Sequence, residues 1–146
     1  MNVNFDKIFT GGVSINKAYH MGKIIWKKEV VVDLSNWSDW EEPASWLNGK
    51  LSPVAQCFAT REIYPVSSTD ALFKFPTIYG TAGMYITTFD SNMRYIRRYT
   101  PETIYQTEVN IPFEPNEKYF ALHYSYSKYR LAEDEHLRKA PIITFR

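Results

Sequence analysis

Apolar and polar residues alternate along most of this chain in short runs, and Gly, Pro, Asn, Asp and Ser separate the runs. A period of two places every second side chain on the same face, which is typical of β-strands. In one such run Phe120, Leu122 and Tyr124 share a face. Runs of this kind predict strands at residues 54–59, 62–66, 71–75, 83–89, 93–99, 103–111, 118–126 and 142–145.

The predicted strands follow one another at intervals of roughly ten residues, which is typical of antiparallel sandwiches and not of alternating βαβ units. We therefore predict an all-β chain whose main domain is an antiparallel, jelly-roll-like β-sandwich. Two stretches favour helical turns instead, at residues 38–47, which Pro43 interrupts, and at 131–139, which Pro141 closes.

A separate alternating segment precedes the sandwich and predicts a β-hairpin. Its first half alternates through Tyr19, a turn containing Gly22 follows, and its second half ends at Trp26. The apolar positions of this hairpin are Val13, Ile15, Tyr19, Ile24 and Trp26. The run at 30–32 that comes next predicts a strand or an extended connector.

The composition changes between the hairpin and the predicted sandwich, where three tryptophans stand among polar residues and prolines. We predict an N-terminal hairpin module at residues 1–34, a Trp-rich junction at 35–53 and a β-sandwich domain at 54–146. Residues 1–34 carry five lysines against three acidic residues, whereas the remainder carries 12 basic against 13 acidic residues. This difference in charge agrees with a boundary between two modules.

Composition excludes several classes of protein. The 146 residues are 45% hydrophobic and 23% charged, which is sufficient for a packed core. A net charge of +1 provides no field for nucleic acid or an anionic membrane, and the apolar runs are too short to span a bilayer. Cys57 is the only cysteine and lies in an apolar run, so we expect a buried thiol, no disulfide and no multi-cysteine metal site.

The chain carries no motif of a known catalytic or metal centre. His20, His123 and His136 are far apart, and the acidic cluster before His136 is typical of a solvated helical turn. No nucleophile elbow or phosphate-binding loop is present, and no carboxylate pair stands out for a hydrolase. We therefore predict a protein that is not an enzyme and that holds no cofactor and no metal.

The strand at 93–99 combines arginine with tyrosine, as some single-strand nucleic-acid binders do. Alternation places Met93, Tyr95, Arg97 and Tyr99 on one face and Arg94, Ile96 and Arg98 on the other. Arginines that point to opposite faces make a poor groove for a nucleic acid, so a solvated strand face or an intersubunit salt bridge is the favoured interpretation.

Aromatic residues make up 16% of the chain, which is more than one small core needs. Tyrosine and tryptophan bury a large area at low entropic cost, so the excess favours contacts with other chains. The alternative is a surface that stacks on sugar rings, for which the candidates are Trp37, Trp40 and Trp46. Packing of the same three tryptophans inside the junction is the other interpretation that the sequence leaves open.

Two segments resemble parts of known proteins. Residues 13–26 resemble a short hairpin near the start of tail, fibre and other virion proteins of bacteriophages, through the alternation, the Gly-containing turn and the apolar pair ending in Trp26. Residues 85–96 and 109–122, with the strand pair at 62–66 and 72–75, are similar to β-sandwich modules of phage fibres and carbohydrate-binding domains. The sugar-contacting residues of such modules find no match here.

The resemblance implies a non-enzymatic structural protein of a phage particle, of the fibre, tail or head-decoration type. We expect it in the virion after synthesis in the host cytoplasm. It would assemble with itself as a homo-oligomer, expected to be a trimer, and with other virion proteins. The hairpin residues Val13, Ile15, Tyr19, Ile24 and Trp26 are the predicted interface. The alternative function is a carbohydrate-binding module that recognises a host surface glycan, and neither function involves nucleic acid or a membrane.

Overall fold

The computed structural model describes residues 29–78, 80–81, 83–102, 105–125 and 140–146, together with short strands between residues 9 and 27. These residues form β-strands and one short 3-10 turn, Trp37–Asp39. The strands are β1 (Phe9–Thr10), β2 (Val13–Ser14), β3 (Lys17–His20), β4 (Lys23–Lys27), β5 (Val30–Asp33), β6 (Trp40–Glu41), β7 (Ser45–Leu47), β8 (Lys50–Ser52), β9 (Cys57–Thr60), β10 (Tyr64–Pro65), β11 (Asp70–Lys74), β12 (Met84–Phe89), β13 (Tyr95–Tyr99), β14 (Glu108–Pro112), β15 (Tyr119–Ser125) and β16 (Ile142–Phe145).

Two antiparallel sheets make up the main body of the protein. A six-stranded sheet has the order β13-β12-β15-β9-β6, with β10 also paired to β15. A four-stranded sheet has the order β14-β11-β16-β5. The two sheets pack face to face, because core residues from both belong to one buried cluster.

The strand pairs are nested in the way that defines a jelly roll. The hairpin β12–β13 lies innermost along the chain, β11 pairs with β14 around it, β9 and β10 pair with β15, and β5 pairs with β16. A single folded ribbon of this kind, rolled so that its successive pairs alternate between two sheets, is a jelly roll. The predicted fold class is thereby confirmed.

The core between the sheets is aromatic. Phe120, Leu122 and Tyr124 point inward from β15 and are fully buried, as their alternation predicts. The ring of Tyr124 stacks on that of Phe58, with centroids 5.1 Å apart. The centroid of the Trp40 ring also lies 5.1 Å from that of Phe58. Such contacts add to the free energy gained from area burial.

A second apolar cluster covers the outer face of the six-stranded sheet. The β7–β8 hairpin lies across this face, where Trp46 packs with Phe89. Asn48 and Gly49 connect the two strands with φ angles of 49° and 81°, the geometry of a two-residue type I′ turn. A Cβ at Gly49 would lie 2.9 Å from the Cβ of Tyr95, so the hairpin can approach the sheet only with glycine there. The helical turns expected at 38–47 are thus replaced by the 3-10 turn and strands.

Residues 30–53 are built into the sandwich and are not a separate module or linker. Strand β5 is the edge of the four-stranded sheet, with Val30 and Val32 packed against the core, and Leu34 is fully buried. Strand β5 and Leu34, which the sequence prediction placed in the N-terminal module, thus belong to the sandwich. The predicted helical turn at 131–139 lies outside the described residues.

Candidate functional site

The predicted assembly residues fall on two small ribbons that precede the sandwich. Tyr19 in β3 lies opposite Ile24 in β4, and Trp26 lies opposite Ala18, so the predicted hairpin is present. A register shift between Ala18 and Tyr19 interrupts the alternation. Val13 belongs instead to β2, where it pairs with Thr10 of β1, and Ile15 lies outside the described residues.

Two of the three candidate sugar-stacking tryptophans are buried. Trp40 is 1% exposed and donates its indole N–H to the Leu34 carbonyl oxygen at 2.9 Å. Trp46 is 6% exposed and donates to the Thr60 carbonyl oxygen at 2.9 Å. Their ring faces are covered by protein atoms, so they pack inside the domain and offer no stacking surface of the kind the sequence hypothesis requires. Trp37 is half-buried, with its ring 6.1 Å from that of Phe58.

A cleft of about 490 Å³ opens elsewhere, between the end of β13 and the strand β14. Among the described strands, each of the two lies at the edge of its sheet, so the cleft lies at an open side of the sandwich. Its volume is in the range of small-molecule sites, roughly 300–1,000 Å³. Its lining includes the side chains of Arg97, Tyr99, Glu102, Asn110, Pro112 and Glu114.

A buried carboxylate fixes the arginine of this cleft. The Glu117 side chain has no exposed surface and accepts hydrogen bonds from Arg97 Nε at 2.7 Å and Nη2 at 3.1 Å. It also accepts from the Thr88 hydroxyl and from the Glu114 backbone N–H, each at 2.7 Å. The Arg97 guanidinium lies 4.4 Å above the centre of the Tyr99 ring. The two oxygens of Glu117 and the Tyr99 ring therefore hold the planar guanidinium in a single orientation, while Thr88 and the Glu114 backbone fix the carboxylate.

Electrostatics at the cleft favour the charged state of this pair. Burial by itself would raise the pKa of Glu117, but the hydrogen bonds from Arg97, Thr88 and the Glu114 backbone hold that pKa below its ordinary value. The hydrogen bond to Glu117 raises the pKa of Arg97. Burial, followed by the charge of Glu117, raises the pKa of Tyr99, whose hydroxyl makes no hydrogen bond to a described residue.

A β-bulge brings Arg97 to this position. Thr88 pairs with Arg97 and Phe89 pairs with Tyr95, with a register shift between them, so Ile96 is the extra residue of β13. Tyr95 consequently lies on the outer face, beside Gly49, while Arg97 and Tyr99 lie on the inner face. The sequence prediction that Tyr95 and Arg97 share a face is wrong, because simple alternation cannot include a bulge.

The sequence missed the Arg97–Glu117 pair, although it singled out Arg97. It predicted a solvated face or an intersubunit salt bridge, whereas Arg97 forms an ion pair within the chain. The one signal was the alternation that placed Arg97 beside Tyr99. Glu117 stands in a turn between Pro115 and β15 and carries no periodic signal of its own.

The remaining titratable candidates lie away from the cleft. Burial, followed by the charge of Arg98, lowers the pKa of His123 to about 4, and its ring stacks on Tyr85 at 4.8 Å. Cys57 is buried, as expected, and burial raises the pKa of its thiol. Among the residues that the structure describes, no group of three His, Cys, Asp or Glu side chains could hold a metal ion.

The described part of the chain contains no helix of the length and apolar character that crossing a membrane requires. Comparison with known proteins gives no match to this chain among protein-family models, curated proteins or solved structures. The class of protein is therefore defined by its own geometry, a jelly-roll sandwich that carries a polar edge cleft and is preceded by β-ribbons.

Proposed function

We propose that this protein is a non-enzymatic structural component of a bacteriophage particle, of the fibre, tail or head-decoration type, and that it acts through protein–protein assembly. The observation that carries the proposal is the β3–β4 ribbon. Among the described strands, β3 and β4 form a two-stranded sheet of their own and pair with no strand of the sandwich. A lone two-stranded ribbon is marginally stable in water, so a neighbouring chain is the partner that we expect to cover it.

The sequence of the ribbon supports the same role. Tyr19, Ile24 and Trp26 give one short hairpin several large apolar residues. The N–H and C=O groups along its outer edges can bond to a strand of a second chain, and the side chains then add buried area. The virion setting comes from the resemblance of residues 13–26, 85–96 and 109–122 to phage tail and fibre proteins.

The four-stranded sheet offers a second apolar surface close to the ribbon in the chain. Val31 is 56% exposed in β5 and Ile142 is 41% exposed in the neighbouring strand β16. Both project from the outer face, because their neighbours in each strand point to the core. Strand β5 pairs on one side only among the described strands, so its other edge can extend a sheet into another copy.

Substitution in the ribbon tests the proposal. The triple variant Tyr19→Ser, Ile24→Ser, Trp26→Ser should convert a trimer into a monomer in sedimentation velocity, because the apolar area of the contact is removed. A matched control is Met93→Ser, which alters a side chain 48% exposed on a turn of the sandwich and should leave the oligomer unchanged. An unchanged oligomer in the triple variant, or a monomeric native chain, would contradict the proposal.

Deletion of residues 1–28 gives a second test. The deletion ends before β5, since a longer one would remove an edge strand and Leu34 from the sandwich. We expect the shortened chain to keep the far-ultraviolet circular dichroism of a β-protein and to remain monomeric. Addition of the shortened chain to particles that lack the full protein should then give no incorporation.

A further inference from the structure

We propose that the cleft between β13 and β14 binds a neutral saccharide, with Arg97 and Asn110 as hydrogen-bond donors and Glu102 and Glu114 as acceptors. This inference rests on the cleft alone and is independent of the proposed assembly function. It also places sugar binding away from the three tryptophans of the sequence hypothesis, two of which are buried.

The polar groups of the cleft still have hydrogen-bonding capacity. Nε and Nη2 of Arg97 bind Glu117, while Nη1 makes no hydrogen bond to a described residue. The side-chain oxygen of Asn110 accepts from Arg146 at 2.6 Å, and its amide nitrogen donates to no described residue. The carboxylates of Glu102 and Glu114 are exposed and form no ion pair with a described residue. The cleft therefore offers two donors and two acceptors.

This mixture of donors and acceptors fits hydroxyl groups. Each sugar hydroxyl both donates and accepts a hydrogen bond, so a ring with adjacent hydroxyls can use an arginine or amide N–H and a carboxylate oxygen at the same time. Val109 and Pro112 provide apolar surface in the same cleft, against which the C–H face of a sugar ring can pack.

The charges of the cleft disfavour an anionic ligand. Glu117 balances the charge of Arg97, which leaves the two carboxylates of Glu102 and Glu114 uncompensated among the lining residues, so an anionic ligand is repelled. The described residues contain no convergent set of three ligands for a metal cation. An uncharged polyhydroxylated ligand uses both the donors and the acceptors of the cleft.

The buried carboxylate supports a binding role for Arg97. A carboxylate with no exposed surface loses its hydration, and the pairing of a buried charge repays this loss only in part. Its effect on the structure is to hold a guanidinium that is 41% exposed in one orientation at the cleft. Fixing a donor before the ligand arrives reduces the entropy lost on binding.

The first experiment exposes the full-length protein to a printed array of neutral, acidic and amino-sugar oligosaccharides. We expect binding to neutral members, and titration calorimetry with the strongest neutral member then gives the Kd of the native chain. Binding restricted to acidic or amino sugars, or no binding on the array and in calorimetry at millimolar saccharide, would overturn the inference.

Substitutions then locate the site. Glu102→Ala and Glu114→Ala each remove a charged hydrogen-bond acceptor and should raise the Kd about tenfold. Both side chains are exposed, so folding should be unaffected. Glu108→Ala is the matched control, an exposed glutamate of β14 that pairs with Lys74 instead of lining the cleft, and should leave the Kd unchanged. Native affinity in both cleft variants would overturn the assignment of the site, whatever the oligomeric state of the protein.

Discussion

The two edges of the six-stranded sheet are packed through different kinds of interaction. At the β6–β9 edge the rings of Trp40, Phe58 and Tyr124 pack together with almost no exposed surface. At the β12–β13 edge an ion pair, Arg97 with Glu117, occupies the equivalent position and opens onto a cleft. The first arrangement stabilises the fold through burial of apolar area, whereas the second pairs a buried carboxylate with an arginine that is partly exposed at the cleft.

The largest effect is expected at the aromatic edge. Phe58→Ala should lower the free energy of unfolding by about 3–5 kcal/mol, because the cavity left between Trp40 and Tyr124 cannot close fully. Urea denaturation followed by tryptophan fluorescence measures the loss. Tyr95→Ala is the control, since this ring is 41% exposed and its removal should change stability by less than about 1 kcal/mol. Equal losses in the two variants would show that the aromatic cluster is not the main source of stability.

Measuring stability as a function of pH separates the contribution of the titratable groups from that of the aromatic cluster. The folded pKa of His123 is about 4, below the ordinary value of 6.5, so the unfolded chain binds a proton first as the pH falls. Stability should therefore decrease from about pH 6.5 to about pH 4, by about 3 kcal/mol at most. The Phe58→Ala variant should show the same decrease from a lower starting point, whereas His123→Asn should lack it.

Glu117 acts in the same direction at lower pH. Its folded pKa is lowered, so the stability that its ionised form provides is present above the ordinary carboxyl range and is lost as the pH falls through the folded pKa. A Glu117→Gln variant should be less stable at neutral pH and should lack this last acid-dependent loss. If that variant loses stability at low pH as the native protein does, other carboxylates are responsible for the loss.

The ion pair itself is expected to contribute less than the aromatic cluster. Glu117→Ala should cost about 2 kcal/mol, because Thr88 and the Glu114 N–H lose an acceptor while Arg97, which is 41% exposed, regains water. A double-mutant cycle with Arg97→Ala isolates the pair. The Arg61–Glu41 pair is the matched control, exposed on both sides, and its coupling energy should be below about 1 kcal/mol. Equal coupling in the two cycles would remove the distinction between a buried and an exposed carboxylate.

The same contrast explains what the sequence could and could not predict. The aromatic edge follows from alternation, since Phe120, Leu122 and Tyr124 recur every second residue and all point inward. The ion-paired edge depends on a bulge at Ile96 and on a partner 20 residues away along the chain. Neither leaves a periodic signal, so sequence reasoning identified Arg97 without its orientation or its partner.

Burial of the tryptophans was one of two interpretations that the sequence left open, and local composition could not show which contacts bury them. Trp40 and Trp46 stand among polar residues, which is typical of an exposed segment, yet each is buried through a contact with a distant part of the chain. Trp46 reaches the Thr60 carbonyl across 14 residues because the β7–β8 hairpin folds over the outer face of the sheet. Local composition carries no information on such a tertiary contact.

The smallest effect is expected where a hydrogen bond supports an apolar contact. Trp46→Phe keeps a ring against Phe89 but removes the indole N–H, which leaves the Thr60 carbonyl without this donor and should cost about 1 kcal/mol. Trp46→Ala should cost more, because it also removes the ring from the cluster with Ala59 and Ala121. Urea denaturation of both variants separates the two contributions. A loss of stability in Trp46→Phe as large as in Trp46→Ala would mean that the hydrogen bond, and not apolar packing, fixes the hairpin to the sheet. The outer cluster would then depend on a polar interaction, as the ion-paired edge does.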